Sequence, residues 1–260
     1  MRLSKHHGLG NDFLVSLIDE VPADAGDLAR AWCHRTRGIG ADGLIFGTPT
    51  GEADVAMTLF NADGSAAEIS GNGIRCLAQA VMARNGADTL RVLTAAGVRD
   101  LRLVESAGTE AYISVDMGAV SSAPQHPCLE QTRFASKRAA VRDVGNPHLV
   151  VEIDDLDDID IAVDGPALEA LFAPVGMNVH FMVESGPAQI SLLHWERGVG
   201  VTEACGSGAT VSAALANEWG IVGSTVDVVM PGGTAKVVLE ESATLIGPAV
   251  HIADVEIAHG

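Results

Sequence analysis

The segment His194–Gly220 (HWERGVGVTEACGSGATVSAALANEWG) puts a cysteine where the backbone would alter its chemistry. Trp195-Glu196-Arg197 ends a strand and a glycine-broken loop follows. Cys205 then stands at the start of a helix that begins near Gly206, runs to Trp219 and stops at Gly220. A helix start offers unpaired N–H groups and the positive end of the dipole, and both favour a thiolate over a thiol. The amides of Gly206, Ser207 and Gly208 can hold an anion such as a carboxylate. A thiolate beside a carboxylate cradle suits removal of the α-proton of an amino acid. A cysteine on an apolar helix is more often a small core residue. Here the flanking glycines and the upstream Glu196–Arg197 pair turn the reading toward chemistry.

The stretch has an echo. Residues 61–86 (NADGSAAEISGNGIRCLAQAVMARNG) again give a strand end, a loop, a Gly-x-Gly helix start and an apolar helix closed by Asn85-Gly86. SGNGIRC at 70–76 lies over CGSGATV at 205–211, about half the chain away. That spacing implies two related halves, each giving one helix N-terminus to a shared cleft. Both helices lack a polar face, so both should be buried. The counterpart of Cys205 is Ser70.

The elements that must position these residues follow in order. Lys5–Phe13 (KHHGLGNDF) leads into an apolar strand, FLVSLID. Its adjacent histidines lack any ligand spacing for a metal. Asn11 is placed to hydrogen-bond a ligand, and a structural turn is an equally natural role for it. Residues 25–35 read as a short helix. Arg37–Gly43 is glycine-rich but lacks the GK[ST] of a phosphate loop, which leaves a tight turn. Residues 53–60 and 89–115 alternate as strands. Ser121–Pro127 reads as a connection between halves. Strands resume near Gly145-Asn146-Pro147-His148 and at Gly176-Met177-Asn178-Val179, with a solvated acidic loop or helix start at Asp154–Asp160 between them. After the second helix come TVDVVM, a Pro231-Gly232-Gly233 turn, AKVVLEE and a final strand pair through HIADVEIA. The last strand fits best beside the first half. The expected division is 1–117, with 249–260 returning to it, and 118–248.

Composition narrows the partners. A hydrophobic content of 47% with 19% charged residues describes a globular chain with a large core. A net charge of −18 argues against nucleic acid and anionic membranes. No apolar run approaches the roughly 20 residues of a membrane span, and MRLSKHHGLG lacks the apolar core of a signal peptide. Cys33, Cys76, Cys128 and Cys205 form no CxxC pair, so neither zinc nor a disulfide frame is indicated and a reduced, cytoplasmic setting is expected.

In this order the motifs resemble the diaminopimelate epimerase family: HGLGNDF at 7–13, RGIGADGL at 37–44, NADGSAAE and GNGIRC at 61–76, GNPH at 145–148, MNV at 177–179 and ERGVGVTEACGSGA at 196–209. The match covers nearly the whole chain. It implies an α/β (α+β) fold of two similar halves, each a curled, mostly antiparallel sheet around a central buried helix, with the active site between them. It implies interconversion of LL- and meso-diaminopimelate without PLP, metal or other cofactor, by a homodimer acting on this small amino acid. Carried over by position, Asn11, Asn61, Asn146, Asn178, Glu196 and Arg197 hold the substrate's polar groups. Gly71-Asn72 and Gly206-Ser207 present helix-start amides to its α-carboxylate. His148 assists the residue at position 70, and Glu196 assists Cys205.

Two positions depart from the pattern. The family often has Gln where Gly43 stands. More consequentially, it carries a catalytic cysteine where this chain has Ser70, and a hydroxyl is far less acidic than a thiol of pKa about 8.5. Ser70 can deliver a proton with help but is poor at removing one. Cys76 lies on a different helix face. The serine is either an introduced change or belongs to a natural protein whose two-base chemistry is lost or altered. Three readings therefore stand: an epimerase of the diaminopimelate type; an isomerase or lyase on another amino acid or cyclic acid, with Cys205 as sole base and Ser70 and His148 as acid; and an amino-acid-binding protein whose clamp has outlived catalysis.

Overall fold

Two strand patterns set the layers. FLVSL, GLIFG, PHLVV and NVHFM are unbroken apolar runs, as in strands covered on both faces. TLRVLT, EAYISVDMG and TVDVVM alternate, as in strands with one covered face. The computed structural model describes residues 1–67, 69–123 and 128–257, and every one of these runs is a strand in it. The chain divides into two compact units, Met1–Asp116 with Ile246–Gly260, and Met117–Leu245.

The first stretch runs β1 (Arg2–Gly8), β2 (Asn11–Leu17), α1 (Ala25–Trp32), β3 (Gly43–Thr48), β4 (Val55–Asn61), β5 (Ala66–Ala67), α2 (Gly71–Asn85), β6 (Thr89–Thr94), β7 (Gly97–Ala107) and β8 (Glu110–Gly118). The second runs β9 (Ser121–Ser122), β10 (Ala139–Asp143), β11 (Pro147–Glu152), α3 (Ile161–Glu169), β12 (Asn178–Gly186), β13 (Gln189–Glu196), β14 (Gly200–Val201), α4 (Gly206–Glu218), β15 (Thr225–Met230), β16 (Gly233–Leu239) and β17 (Ala243–Glu256).

The repeat is exact in topology. In the first unit β1–β2, β3–β4 and β6–β7 pair antiparallel, while β2–β3 and β4–β6 pair parallel. In the second, β10–β11, β12–β13 and β15–β16 are antiparallel, and β11–β12 and β13–β15 parallel. Each parallel step spans a helix. The short strands β5 and β14 hold the same place, each paired to the strand before it and followed by the long helix. In the first unit β7 also pairs with β8, β8 with β17 and β17 with β1, so eight strands close a ring.

Each sheet has a helix on either face, which accounts for the unbroken apolar strands. In the first unit α2 packs on β1, β2, β3 and β6. Ala25 and Ala29 of α1 join Leu14, Leu44 and Phe46 on the opposite face. In the second, α4 packs on β10, β11, β12, β13, β15 and β16. There Leu168 of α3 joins Phe134, Val151 and Phe181 on the opposite face. Residues 71–79 of α2 and 206–213 of α4 are buried without a break, as helices without a polar face must be.

Two details differ from expectation, and the acidic run at Asp154–Asp160 gives the helix start read from the sequence. The final strand pair is one strand, the 14-residue β17, and it bulges at Ile252, opposite Lys5 and His6 of β1, where the pairing register shifts by one. The connection at Ser121–Pro127 contains β9, which pairs with β10; residues 124–127 lie outside the described residues, as does Ala258 of the last motif. The acidic run forms a 3-10 turn at Leu156–Asp158, after which the Asp160 carboxylate caps α3 by accepting from the Ala162 amide. No helix among the described residues is long and apolar enough to cross a membrane.

The ends of α2 are set by local chemistry. Ser70 caps its start, its hydroxyl oxygen accepting from the Gly73 amide at 3.0 Å. Gly86 ends it with φ of 72°, its amide donating to Met82 O at 2.8 Å. A side chain at 86 would have open space but a left-handed backbone. Gly86→Ala should therefore lower stability by about 1–2 kcal/mol in chemical denaturation, through backbone conformation alone.

Candidate active site

Cys205 is the N-cap of α4, with φ −127° and ψ 106°, and is 3% exposed. Its Sγ lies 3.7 Å from Ser207 Oγ. Burial pushes the thiol well above its ordinary pKa. The negative charge of Glu196, which also accepts the thiol hydrogen, pushes the same way, against the Gly208 amide and the Ser207 hydroxyl. The helix-start argument favoured a thiolate; burial and the Glu196 charge act against it more strongly than the Gly208 amide and Ser207 hydroxyl act for it. The resting residue is a thiol held against a carboxylate. Glu196 ends β13 opposite Gly200 of β14, and the Thr202 hydroxyl donates to its Oε1.

Behind the cysteine stand three buried histidines. His148 begins the core of β11, 0% exposed, with Nε2 2.9 Å from Asn146 Oδ1 and Nδ1 2.8 Å from His180 Nε2. With the amide oxygen as acceptor, His148 carries its hydrogen on Nε2, so its Nδ1 accepts from His180. Burial lowers the pKa of His148 to about 3, with the charges of Arg197 and His194 adding to the effect. His180 and His194 face each other in the β12–β13 register, ring centroids 6.0 Å apart. Neither His194 ring nitrogen, nor His180 Nδ1, has a hydrogen-bond partner. The His180 ring also explains a glycine: a Cβ on Gly208 would lie 2.0 Å from His180 Cε1. His148, His180 and Cys205 together bring one ligand-capable atom each within 4.8 Å of one another, all buried.

Asn178, at the start of β12, receives the Arg197 amide at 3.0 Å and donates to Pro147 O at 3.0 Å. It ties the two strand ends that carry His148 and Glu196. The Arg197 side chain donates to Val175 O at 3.3 Å. Cys205, Glu196, His148, Asn146, Asn178, Arg197, Gly206 and Ser207 thus belong to one unit and are joined by a few strand ends and one helix start.

In the first unit a polar network surrounds the start of α2. Arg75, 0% exposed, donates to Gly71 O at 2.8 Å, to Asn72 Oδ1 at 2.7 Å and to Pro248 O at 3.3 Å. Asn72 donates to Asn11 Oδ1 at 3.2 Å, and Asn11 to Asp42 Oδ2 at 2.8 Å. Asp42 and Asp12 share Arg35, and Lys5 adds to Asp12. Asn11 owes its place to a two-residue turn, Leu9-Gly10, with positive φ at both positions, 53° and 83°. Asn61 ends β4 and donates to Ser65 Oγ at 3.0 Å, apart from the network. A Cβ on Gly43 would meet Phe60 O at 2.9 Å, so a glutamine there would not fit this backbone. Cys76 is fully buried and pushed up to about 12 by burial, which makes it a core thiol.

His180, His194, Thr202, Asp42 and Arg75 were missed from the sequence. The available signal was polarity inside NVHFM and SLLHW, apolar strand runs where a histidine must face the interior.

Comparison with known proteins decides the family. The diaminopimelate epimerase profile matches residues 3–123 and 140–252. The chain belongs to the diaminopimelate epimerase family. A diaminopimelate epimerase from Methanothermobacter thermautotrophicus is 38% identical over 94% of this chain and 92% of the relative. One from Bacteroides thetaiotaomicron is 35% identical over 99% and 98%. Among solved structures, a PhzF-family phenazine biosynthesis protein from Bacillus anthracis matches at TM-score 0.73, with 15% identity over 100% of this chain and 99% of that one. A hydroxyproline epimerase from Agrobacterium vitis matches at TM-score 0.71 and 15% identity, covering 98% and 91%. The fold class is the expected one, two similar halves of curled sheet around central helices.

Two outcomes follow from the electrostatics. His194 is buried with its pKa lowered to about 4, so below pH 6.5 the unfolded chain binds a proton that the folded chain refuses. Stability is then retained above about 6.5 and lost as pH falls toward 4. His194→Leu should flatten the acid side of the stability–pH curve by up to about 1.4 kcal/mol per pH unit in that window, measured by urea unfolding. Glu196→Gln removes the charge and weakens the acceptor that hold the Cys205 thiol protonated. Iodoacetamide labelling of Cys205, scored against Cys205→Ser, should then shift to lower pH; an unmoved profile would show that Glu196 does not control the thiol.

Proposed function

We propose that this chain epimerises LL-diaminopimelate to meso-diaminopimelate at the α-carbon, without PLP or a metal, as an isomerase. The observation that carries the reading is the Cys205 thiol, buried on a helix N-terminus against Glu196. An α-proton beside a carboxylate is very weakly acidic, so the site must stabilise the negative charge that develops on its removal. The helix supplies no acceptor of its own for the amides of Gly206 and Ser207, and these receive the α-carboxylate, with the Gly208 amide turned to the Cys205 sulfur. Glu196 takes the thiol proton, the thiolate removes the α-proton from one face, and a second group returns a proton to the other.

The second group is Ser70. Gly71 and Asn72 add the other helix start, and Asn11, Asn61, Asn146, Asn178, Glu196 and Arg197 bind the substrate's remaining polar groups. His148 assists Ser70, for which it must release Asn146 or His180, because both of its ring nitrogens are held in the resting chain. Ser70 Oγ accepts from Gly73, leaving its hydrogen free to donate. That observation favours a runner-up in which Cys205 is the only base and Ser70 only an acid, acting on another amino acid. The buried thiols Cys33, Cys76 and Cys205 are free, which supports a cytoplasmic setting. A homodimer rests on the resemblance alone, and sedimentation tests it.

Incubation with LL-diaminopimelate in heavy water decides among these. Inversion with deuterium at the α-carbon supports the epimerase, exchange without inversion supports the one-base enzyme, and neither would sink the epimerase reading. Ser70→Cys should raise epimerisation by about 10²–10⁴-fold, the range for a positioned acid–base group. In single turnover of the serine form, the isomer whose α-proton faces Cys205 should react faster. Equal rates for the serine and cysteine forms would overturn the two-base assignment.

A further inference from the structure

His180 belongs to no motif of the reaction, yet it stands between His148 and Cys205. The geometry points to a soft divalent ion of the zinc or cadmium type bound by Cys205 Sγ and one ring nitrogen each of His148 and His180, an inhibitory site. It goes beyond the epimerase reading, and the binding itself does not depend on it.

Four observations carry the site. One sulfur and two imidazole nitrogens form a donor set suited to zinc or cadmium and poorly suited to magnesium or calcium. Their ligand atoms already lie within 4.8 Å of one another. Tetrahedral zinc, with bonds of about 2.0–2.3 Å, needs about 3.3–3.6 Å between ligands, so the facing nitrogens must part by about 0.5 Å and the sulfur close by about 1.2 Å at most to complete the tripod. His148 Nδ1 and His180 Nε2 face each other at 2.8 Å, where one hydrogen now stands between them. His180 Nδ1 is buried and without a partner, so it can accept that hydrogen and free both facing nitrogens. Asn146, on His148 Nε2, then fixes the ring as an outer partner fixes a metal-bound imidazole.

The exchange balances simply. A sulfur–metal bond forms as the thiol proton leaves to solvent, His180 moves its hydrogen from Nε2 to Nδ1, and nothing is oxidised or reduced. The fourth position is left to water or Glu196. Residues 148, 180 and 205 are too far apart in sequence for any ligand motif to reveal them, since three separate elements bring them together.

The test uses cadmium and zinc salts on the full chain. Cadmium titration should give a one-to-one thiolate-to-metal charge-transfer absorption that Cys205→Ser abolishes. His180→Gln should weaken binding by at least about tenfold. X-ray absorption at the zinc edge on the unmodified protein should show one sulfur and two imidazole nitrogens. An absorption band surviving in Cys205→Ser, a zinc shell without sulfur, or unchanged affinity in a folded His180→Gln would each overturn the proposal. Where epimerisation is measurable, it should fall in step with occupancy and return with chelator. Inhibition at zinc concentrations that leave the site empty would overturn the inhibitory role. A chain that binds cadmium as described but never epimerises would fail the proposed function and leave the metal site standing.

Discussion

The structure depends on one constraint: a helix whose N-terminus is buried inside a curled sheet. Amides at such an end have neither water nor an earlier turn to bond with, so they must be given an acceptor. α2 solves this with the Ser70 hydroxyl, and α4 solves it less completely, since the Cys205 sulfur is a weaker acceptor for the Gly208 amide. The lower polar satisfaction of α4 is what leaves its first amides available for an anion. Small residues follow from the same constraint, because the sheet and its histidines approach the helix start closely. Gly208 under His180 is the tightest example.

Burial also sets the electrostatics. A thiol at an exposed helix start would lose its proton readily, but at Cys205 the cost of an unhydrated thiolate dominates. In the proposed reaction the base would be generated only when the proton can pass to Glu196 and a cationic or hydrogen-bonding substrate compensates the charge. Keeping the thiol neutral at rest also limits its oxidation, since the thiolate is the reactive form. Arg75 shows the opposite adjustment. Its charge is fully buried, its pKa lowered only to about 10, and it is stabilised by carbonyl and amide oxygens at the start of α2. A cation so placed also rigidifies Asn72 and, through it, Asn11.

Much of the fold was legible because its signals are local. Asn85-Gly86 and Gly220 mark helix ends by backbone conformation, and the echo of SGNGIRC with CGSGATV lies at the starts of α2 and α4. The strand runs separate by whether they alternate. What escaped was non-local. Nothing in NVHFM says that His180 meets His148, because that contact depends on the parallel register of β11 and β12. The protonation state of Cys205 escaped for the same reason. A helix-start rule counts the dipole, whereas the deciding quantity is how much water the folded chain leaves around the sulfur. The single long β17 escaped because Gly247-Pro248 reads locally as a break, whereas the strand runs through it and pairs with β1 from Val250 onward.

Ser70 joins these threads, because the same atom that helps fold the chain limits its chemistry. A hydroxyl is a strong N-cap, worth about 0.5–2 kcal/mol over an alanine, and its 3.0 Å bond to Gly73 uses that capacity. A thiol is a weaker acceptor than a hydroxyl. Serine at this position therefore favours the fold of α2, whereas cysteine would favour proton removal. An oxygen already accepting from a backbone amide is also less basic, so in the proposed reaction it is left to give its hydrogen away. In the proposed reaction the Ser70 hydroxyl and the Cys205 thiol, opposite in acid–base character, would divide the proton transfers unequally. The asymmetry lies in the side chain each helix uses to meet the same unsatisfied amides.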